Sequence, residues 1–174
     1  MSATPVELTR DSSLAEFEGL VQGCLARLYD ANGDGSLFER NNGRGISERA
    51  LVFRFAYYLQ RSIGGYFVDC DFNASPQARG KVIIDQHGRK RNRFVDVIVH
   101  KRDSELTNNL ICFEFKKWNN HSGELHKDEN NLRSMTSNYG YLFGFQIVLH
   151  RVKTKSKWAV FKRGDVQHGL VSIF

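Results

Sequence analysis

The chain has 174 residues, 41% hydrophobic and 25% charged, the composition of a single globular domain long enough for a core of about two layers. No apolar run approaches the ~18 residues of a membrane span, and Met1-Ser2-Ala3-Thr4-Pro5 lacks the basic and apolar parts of a secretion signal, so a cytoplasmic protein is expected. The net charge of +6 favours a polyanionic partner mildly, and three scattered cysteines (Cys24, Cys70 and Cys112, each in an apolar run) read as reduced core residues, not a disulfide frame or a zinc site.

Residues 1–12 are polar, with little periodicity, and read as a loose tail ahead of one domain over 13–174. Ser12 or Ser13 can cap a helix from about Leu14 to Tyr29, where Leu14, Phe17, Leu20/Val21, Cys24/Leu25 and Leu28 recur at helical spacing. The stretch from Asp30 to Arg44 is rich in Gly and Asn and predicts a loop. Its opening, Asp30-Ala31-Asn32-Gly33-Asp34-Gly35, resembles a calcium loop. The twelfth position is Asn41, however, where such a loop needs a bidentate glutamate. A Gly-rich turn is the better reading.

A second helix runs from about Ser47 to Arg61, with Ser47 as its N-cap and Leu51, Phe55 and Tyr58/Leu59 facing inward. Glu48 at its start either complements the positive end of the helix or leans over a sheet toward Asp96. After the Gly64-Gly65 break, Tyr66–Asn73 predicts a strand. Val68, Cys70 and Phe72 take its core side, alternating with Asp69, Asp71 and Asn73. Asp71 is a second-rank candidate for an acidic site and could equally face solvent. Val82-Ile83-Ile84-Asp85 suggests a short edge strand before a His87-Gly88 turn.

The most informative stretch follows. Phe94-Val95-Asp96-Val97-Ile98-Val99-His100 and Leu110-Ile111-Cys112-Phe113-Glu114-Phe115-Lys116 are β-branched and aromatic runs on either side of a polar linker, which predicts a β-hairpin. Each carries a carboxylate that is costly to bury unless it is paired or coordinates a metal. A hairpin centred on Glu105 sets Asp96 directly opposite Glu114, with Cβ atoms about 4.5–5.5 Å apart. Lys116, two residues on, shares that face. A register slip of one would break the cluster.

Two adjacent carboxylates need a cation between them or a proton on one. Mg²⁺ meets that need, because it prefers oxygen ligands and keeps waters for chemistry. Lys116 could orient or deprotonate a water, or neutralise developing phosphate charge. The alternative is a cross-strand ion pair on a solvated face. His100, four residues after Asp96 on the same face, could contact a phosphate or the metal's outer shell, or pair with a carbonyl at the strand end.

Beyond the hairpin, Glu124 to about Ser137 predicts a helix that packs Leu125, Leu132 and Met135/Thr136 and leaves Lys127, Asp128, Glu129 and Arg133 outside. Tyr141–His150 is a strongly apolar strand, and Lys157–Lys162 a last one. His121 and His126, five apart, suit no zinc spacing. The element order predicts an α/β fold, a mixed central β-sheet flanked by helices.

Asp96, followed by Glu114-Phe115-Lys116, resembles the D…(D/E)-X-K signature of the PD-(D/E)XK nuclease superfamily, the restriction-endonuclease-like fold. The wider pattern VDCDFN, FVDVIVHKR and NNLICFEFKK is similar to stand-alone bacterial members of it, over roughly residues 46–150. Val95 stands where the family name implies proline, a residue that supplies no ligand. The resemblance implies a restriction-endonuclease-like core and a Mg²⁺-dependent DNA endonuclease, with Mn²⁺ able to substitute. Asp96 and Glu114 would then hold the metal with help from Glu48, and Lys116 would complete the catalytic set.

Basic residues Arg89, Lys90, Arg91 and Arg93, Lys101 and Arg102, and Lys117 then form a rim for nucleic-acid phosphates. Lys153, Lys155 and Lys157 fit an ordinary solvated loop as well as a contact surface. A homodimer is compatible with cutting both strands. The competing readings are a nucleic-acid-binding module without turnover and an interaction subunit of a larger complex.

Overall fold

Ser13 and Glu16 build a reciprocal N-cap for the first helix. Glu16 N–H donates to Ser13 Oγ, and the Glu16 carboxylate accepts from Ser13 N at 2.7 Å. Helix α1 (Leu14–Leu28) buries Phe17, Val21, Cys24, Leu25 and Leu28; α2 (Glu48–Ser62), capped by Ser47, buries Leu51, Val52, Phe55, Ala56 and Leu59. Both are the helices that the apolar spacing predicts. The computed structural model describes residues 4–30, 38, 47–72, 82–84, 90–92, 95–103, 105–118 and 122–174. The calcium-like opening beyond Asp30, the His87-Gly88 turn and His121 lie outside these residues.

The strands are β1 (Phe67–Phe72), β2 (Val82–Ile84), β3 (Lys90–Asn92), β4 (Val95–His100), β5 (Asn109–Lys117), β6 (Phe143–Leu149), β7 (Lys157–Lys162) and β8 (Asp165–Ser172). Six of them form one sheet in the order β1-β4-β5-β6-β7-β8, antiparallel except for the β5–β6 pair. Helix α3 (Ser122–Asn138) makes the crossover that a parallel pair requires. The fold is therefore α/β, with a mixed central sheet flanked by helices. Val97, Val99, Ile111, Phe113, Phe115, Phe145 and Ile147 face α1 and α2. Leu132 and Met135 of α3 pack on Ile98, Cys112, Ala159 and Phe161 from the other side.

Four local expectations are corrected. The strand at 82–84 does not edge the central sheet; it pairs with β3 as a separate ribbon. A further strand, β8, follows Lys162 through a two-residue turn in which Arg163 (φ 52°) and Gly164 (φ 84°) both adopt the left-handed conformation, the backbone a tight hairpin needs. Strand β8 is mostly exposed, so it lacks the apolar signal of a core strand. Cys70, expected in the core, is exposed because β1 is an edge strand; Cys24 and Cys112 are buried.

The segment 4–12 is docked rather than loose. Leu8 is buried, Val6 bridges Ile63, and Arg10 Nη1 donates to the carbonyls of Thr107, Asn109 and Gly140. Gly140 itself has φ 72°, and a Cβ there would lie 2.3 Å from the Leu106 carbonyl oxygen. Backbone cannot yield as a flexible side chain can, so Gly140→Ala is expected to destabilise the protein by about 3 kcal/mol. Urea unfolding measures it; a change below about 1 kcal/mol would show that the 105–109 connection moves aside freely.

Candidate functional site

The central hairpin adopts the predicted register. Val97 pairs with Phe113, Ile98 with Cys112 and Val99 with Ile111, and one step further along this ladder Asp96 faces Glu114. The regular pairing breaks only beyond Val99, where His100 pairs with Asn109. The acidic residues thus sit at the end of the sheet where β4 begins and β5 finishes, beneath α3.

Each carboxylate gives one oxygen to a protein donor. Asp96 Oδ2 accepts from the Phe115 backbone N–H at 2.7 Å, and Glu114 Oε1 accepts from Asn131 Nδ2 at 2.7 Å. Burial raises the Asp96 carboxyl to about 6, against the Phe115 N–H and Lys116, which hold it down. Glu114, 4% exposed, is pushed well above the usual carboxylate range by burial and by the charges of Asp96 and Asp128.

Lys116 is the cation of the cluster. Its Nζ lies 3.1 Å from Asp128 Oδ2 and 3.7 Å from Glu48 Oε1, and it donates to the Phe115 carbonyl at 3.1 Å. Burial alone would lower its affinity for the proton, but Asp128, Glu48 and Asp96 outweigh burial and raise it to about 12. Lys116 is therefore a fixed ammonium at neutral pH. It can hold a water or screen phosphate charge, and it is a poor proton acceptor. Glu48 enters through Lys116 and through the Lys117 N–H, which donates to Glu48 Oε2 at 3.1 Å.

Asp128 was expected outside and is instead 4% exposed, beside Asn131 at 3%. The signal was present in the spacing. Leu125, Asp128, Asn131/Leu132 and Met135 recur at three and four residues, so Asp128 lies on the packed face of α3. Burial raises its carboxyl, against the pull of Lys116. Gln146, a polar residue within the apolar β6, stands beside Glu114 in the parallel register and donates to the Leu125 carbonyl at 2.7 Å.

The other candidate residues divide. Asp71 occupies the edge-strand position opposite Asp96, between the pairs Cys70–Val97 and Phe72–Val95, with φ 50° and an exposed side chain. The Cys70 thiol beside it, partly shielded although the residue as a whole is exposed, is driven up to about 11 by that partial burial and by Asp71, Asp69 and Asp96, which disfavours a reactive thiolate. His100 Nε2 lies 2.8 Å from Asp69 Oδ2, at the far end of β4. Arg102 is bonded through two nitrogens to the same carboxylate. Arg102 first, with help from His100, holds Asp69 below its ordinary range against burial. Lys101 lies over the Tyr66 ring. Arg89 and Arg93 are outside the described residues, and of Lys90 and Arg91 the backbone of β3 is described.

The donor set suits a hard cation. Among the described residues, the second oxygens of Asp96 and Glu114 take no hydrogen bond, and the buried Asn131 Oδ1 has no partner. Asp128 Oδ2 meets Lys116 as an ion pair without an aligned hydrogen bond. Every available donor is oxygen, the chemistry of Mg²⁺ rather than zinc. Among the described residues, no three His, Cys, Asp or Glu side chains are gathered closely enough to hold a metal ion. Among the described residues the cluster thus offers a pair of carboxylates, each with one oxygen that takes no hydrogen bond.

Proton linkage makes this testable without turnover. Asp96 has a raised carboxyl in the folded state, so that state holds more protons than the unfolded chain between the ordinary value of 3.8 and about 6. Stability from this group is therefore greatest below pH 4 and falls as pH rises through 6, by up to ~3 kcal/mol. Mg²⁺ should raise the melting temperature more at pH 7.5 than at pH 5, where protons compete for the carboxylates. A Mg²⁺ effect equal at both pH values would place the ion elsewhere.

Among the described residues no helix is long and apolar enough to cross a membrane. No protein-family model matches this chain, and comparison with curated proteins and with solved structures found no significant match.

Proposed function

We propose that this protein is a Mg²⁺-dependent phosphodiesterase that cuts nucleic acid, and specifically a DNA endonuclease. The observation that carries the reading is the half-buried Asp96 directly opposed to the buried Glu114, beside the fixed Lys116 ammonium. The resemblance of Asp96 and Glu114-Phe115-Lys116 to the PD-(D/E)XK signature supports it.

Asp96 and Glu114 would hold the metal by the oxygens not engaged by Phe115 and Asn131. When bound, Mg²⁺ supplies an activated water and an electrophile for the scissile phosphate. The remaining steps fall to the protein. Lys116, kept charged by Asp128 and Glu48, orients the attacking water and screens the charge that develops on the phosphate. Asn131 fixes the Glu114 carboxylate through one oxygen, and Phe115 N–H does the same for Asp96. Glu48 ties the start of α2 to the end of β5 and so sets the position of Lys116.

The ion pairing of Lys116 with Asp128 and Glu48 favours a second reading, a nucleic-acid-binding module whose acidic cluster is structural. Supercoiled plasmid and linear single strands, incubated with Mg²⁺, Mn²⁺ or EDTA beside a Glu114→Ala variant, separate the two. Metal-dependent cleavage that disappears in the variant supports the nuclease. Binding without cleavage by the folded protein supports the module, and cleavage that survives in the variant removes Glu114 from the reaction.

A further inference from the structure

The basic residues expected to flank Asp96 do not all reach it. Lys101 and Arg102 follow the far end of β4, about 17 Å along the strand from Asp96 at ~3.4 Å per residue, and Arg102 is already neutralised by Asp69. The sheet topology brings other cations to the acidic end. Strands β5 and β6 are parallel and both finish there, at Lys117 and Leu149. The segment that leaves β6 reads His150-Arg151-Val152-Lys153-Thr154-Lys155-Ser156-Lys157, with no acidic residue.

This loop is ordered by its own contacts. Ser156 Oγ accepts from His150 N at 3.0 Å and exchanges a hydrogen bond with Tyr29 at 2.7 Å. A short 3₁₀ turn holds Lys153 and Lys155, both exposed. The Arg151 guanidinium lies over the Trp118 ring, and Lys153 over Phe174. Among the described residues, none of Arg151, Lys153, Lys155 and Lys157 pairs with a carboxylate. The register supplies the link to the site. Lys116 pairs with Val148, and Val148 with Lys157. Directly paired residues share a sheet face, so Lys116 and Lys157 lie on one face, two strand spacings or roughly 10 Å apart. That span is about three nucleotides at 3.4 Å per nucleotide of helix rise.

We propose that the β6–β7 loop, with Lys153, Lys155 and Lys157, is the surface that binds the phosphate backbone of a DNA duplex and leads it to the Asp96–Glu114 centre. This rests on the nuclease reading for its substrate. Cationic side chains free of acidic partners suit a polyanion, and the stacked Arg151 is pre-ordered for a phosphate. The solvated-loop alternative does not account for four such cations gathered at the end of the sheet where β5 and β6 finish.

Binding is measured by fluorescence anisotropy of a labelled DNA duplex in EDTA, where cleavage plays no part, as a function of salt. Lys155→Gln/Lys157→Gln is expected to weaken binding at least about tenfold at moderate salt and to reduce the slope of log K against log salt by about two. Adding Lys153→Gln should reduce it by about one more. Lys162→Gln, which removes the same charge from the other end of β7, should leave the slope within one unit of the wild type. Unchanged slope and affinity in the folded double variant would overturn the rim, as would a wild-type protein that does not bind the duplex. Equal affinity for poly-L-glutamate would overturn its assignment to a phosphate backbone. Rim-dependent binding by a protein that never cleaves would uphold the rim and remove the nuclease, so the two proposals fail separately.

Discussion

Glu114→Gln is expected to reduce Mg²⁺-dependent cleavage by about 1,000-fold or more, equivalent to ~4 kcal/mol of transition-state stabilisation, while raising the melting temperature of the metal-free protein at pH 7.5. The amide matches the carboxylate in size and can still accept from Asn131. It removes a buried charge that Asp96 and Asp128 repel. Loss of function with a gain of stability is the signature of a group retained for chemistry, since sites that gather like charges do so against the stability of the fold. A destabilised variant with full activity would reverse the assignment: Glu114 would then be a structural partner and the reaction would lie elsewhere.

The second large effect is expected at Lys116. Its side chain is 14% exposed and faces Asp128 at 3.1 Å and Glu48 at 3.7 Å. Lys116→Met keeps the apolar stem and deletes the ammonium that pairs with Asp128 and Glu48 and lowers the Asp96 carboxyl. Breaking a buried pair from one side is strongly destabilising, about 3–5 kcal/mol, because the remaining charge is left uncompensated. The loss should be large at pH 7.5 and much smaller at pH 5. Without Lys116 the carboxyls of Asp128, Asp96 and Glu114 rise further, the folded state takes up protons, and each proton removes part of the repulsion. Urea unfolding at the two pH values checks this. An equal loss at both would assign the contribution of Lys116 to packing, and a loss below about 1 kcal/mol would make its pairs equivalent to solvated surface bridges.

Much of the site was legible in advance because its logic is local. The caps at Ser13 and Ser47, the helical stripes of α1 and α2 and the two apolar hairpin strands each depend on residues a few positions apart. The opposition of Asp96 and Glu114 is more than local, yet it follows from hairpin symmetry once both strands are recognised. Asp128 and Asn131 carried a usable signal, an apolar helical spacing with polar residues at two of its positions, which charge-based reading places on the outside. Strand β8 and the docked segment 4–12 carried less. An edge strand exposed along most of its length and a segment anchored by Leu8 and Arg10 show little periodicity of their own.

By itself, then, the sequence determined the three helices and the strands β1 and β4 to β7, the helix caps, the hairpin register and the carboxylate pair with its lysine. All of these arise from backbone periodicity, capping chemistry and the two-residue alternation of strands, which operate over short stretches of chain. Only the tertiary structure decided that β5 and β6 run parallel, that α3 lays Asp128 and Asn131 over the pair, that Arg102 is occupied by Asp69, and that Lys157 shares a face with Lys116. Those outcomes depend on which distant segments bury each other's apolar faces. The hydrophobic effect that drives such burial is non-directional and leaves no fixed spacing in the sequence.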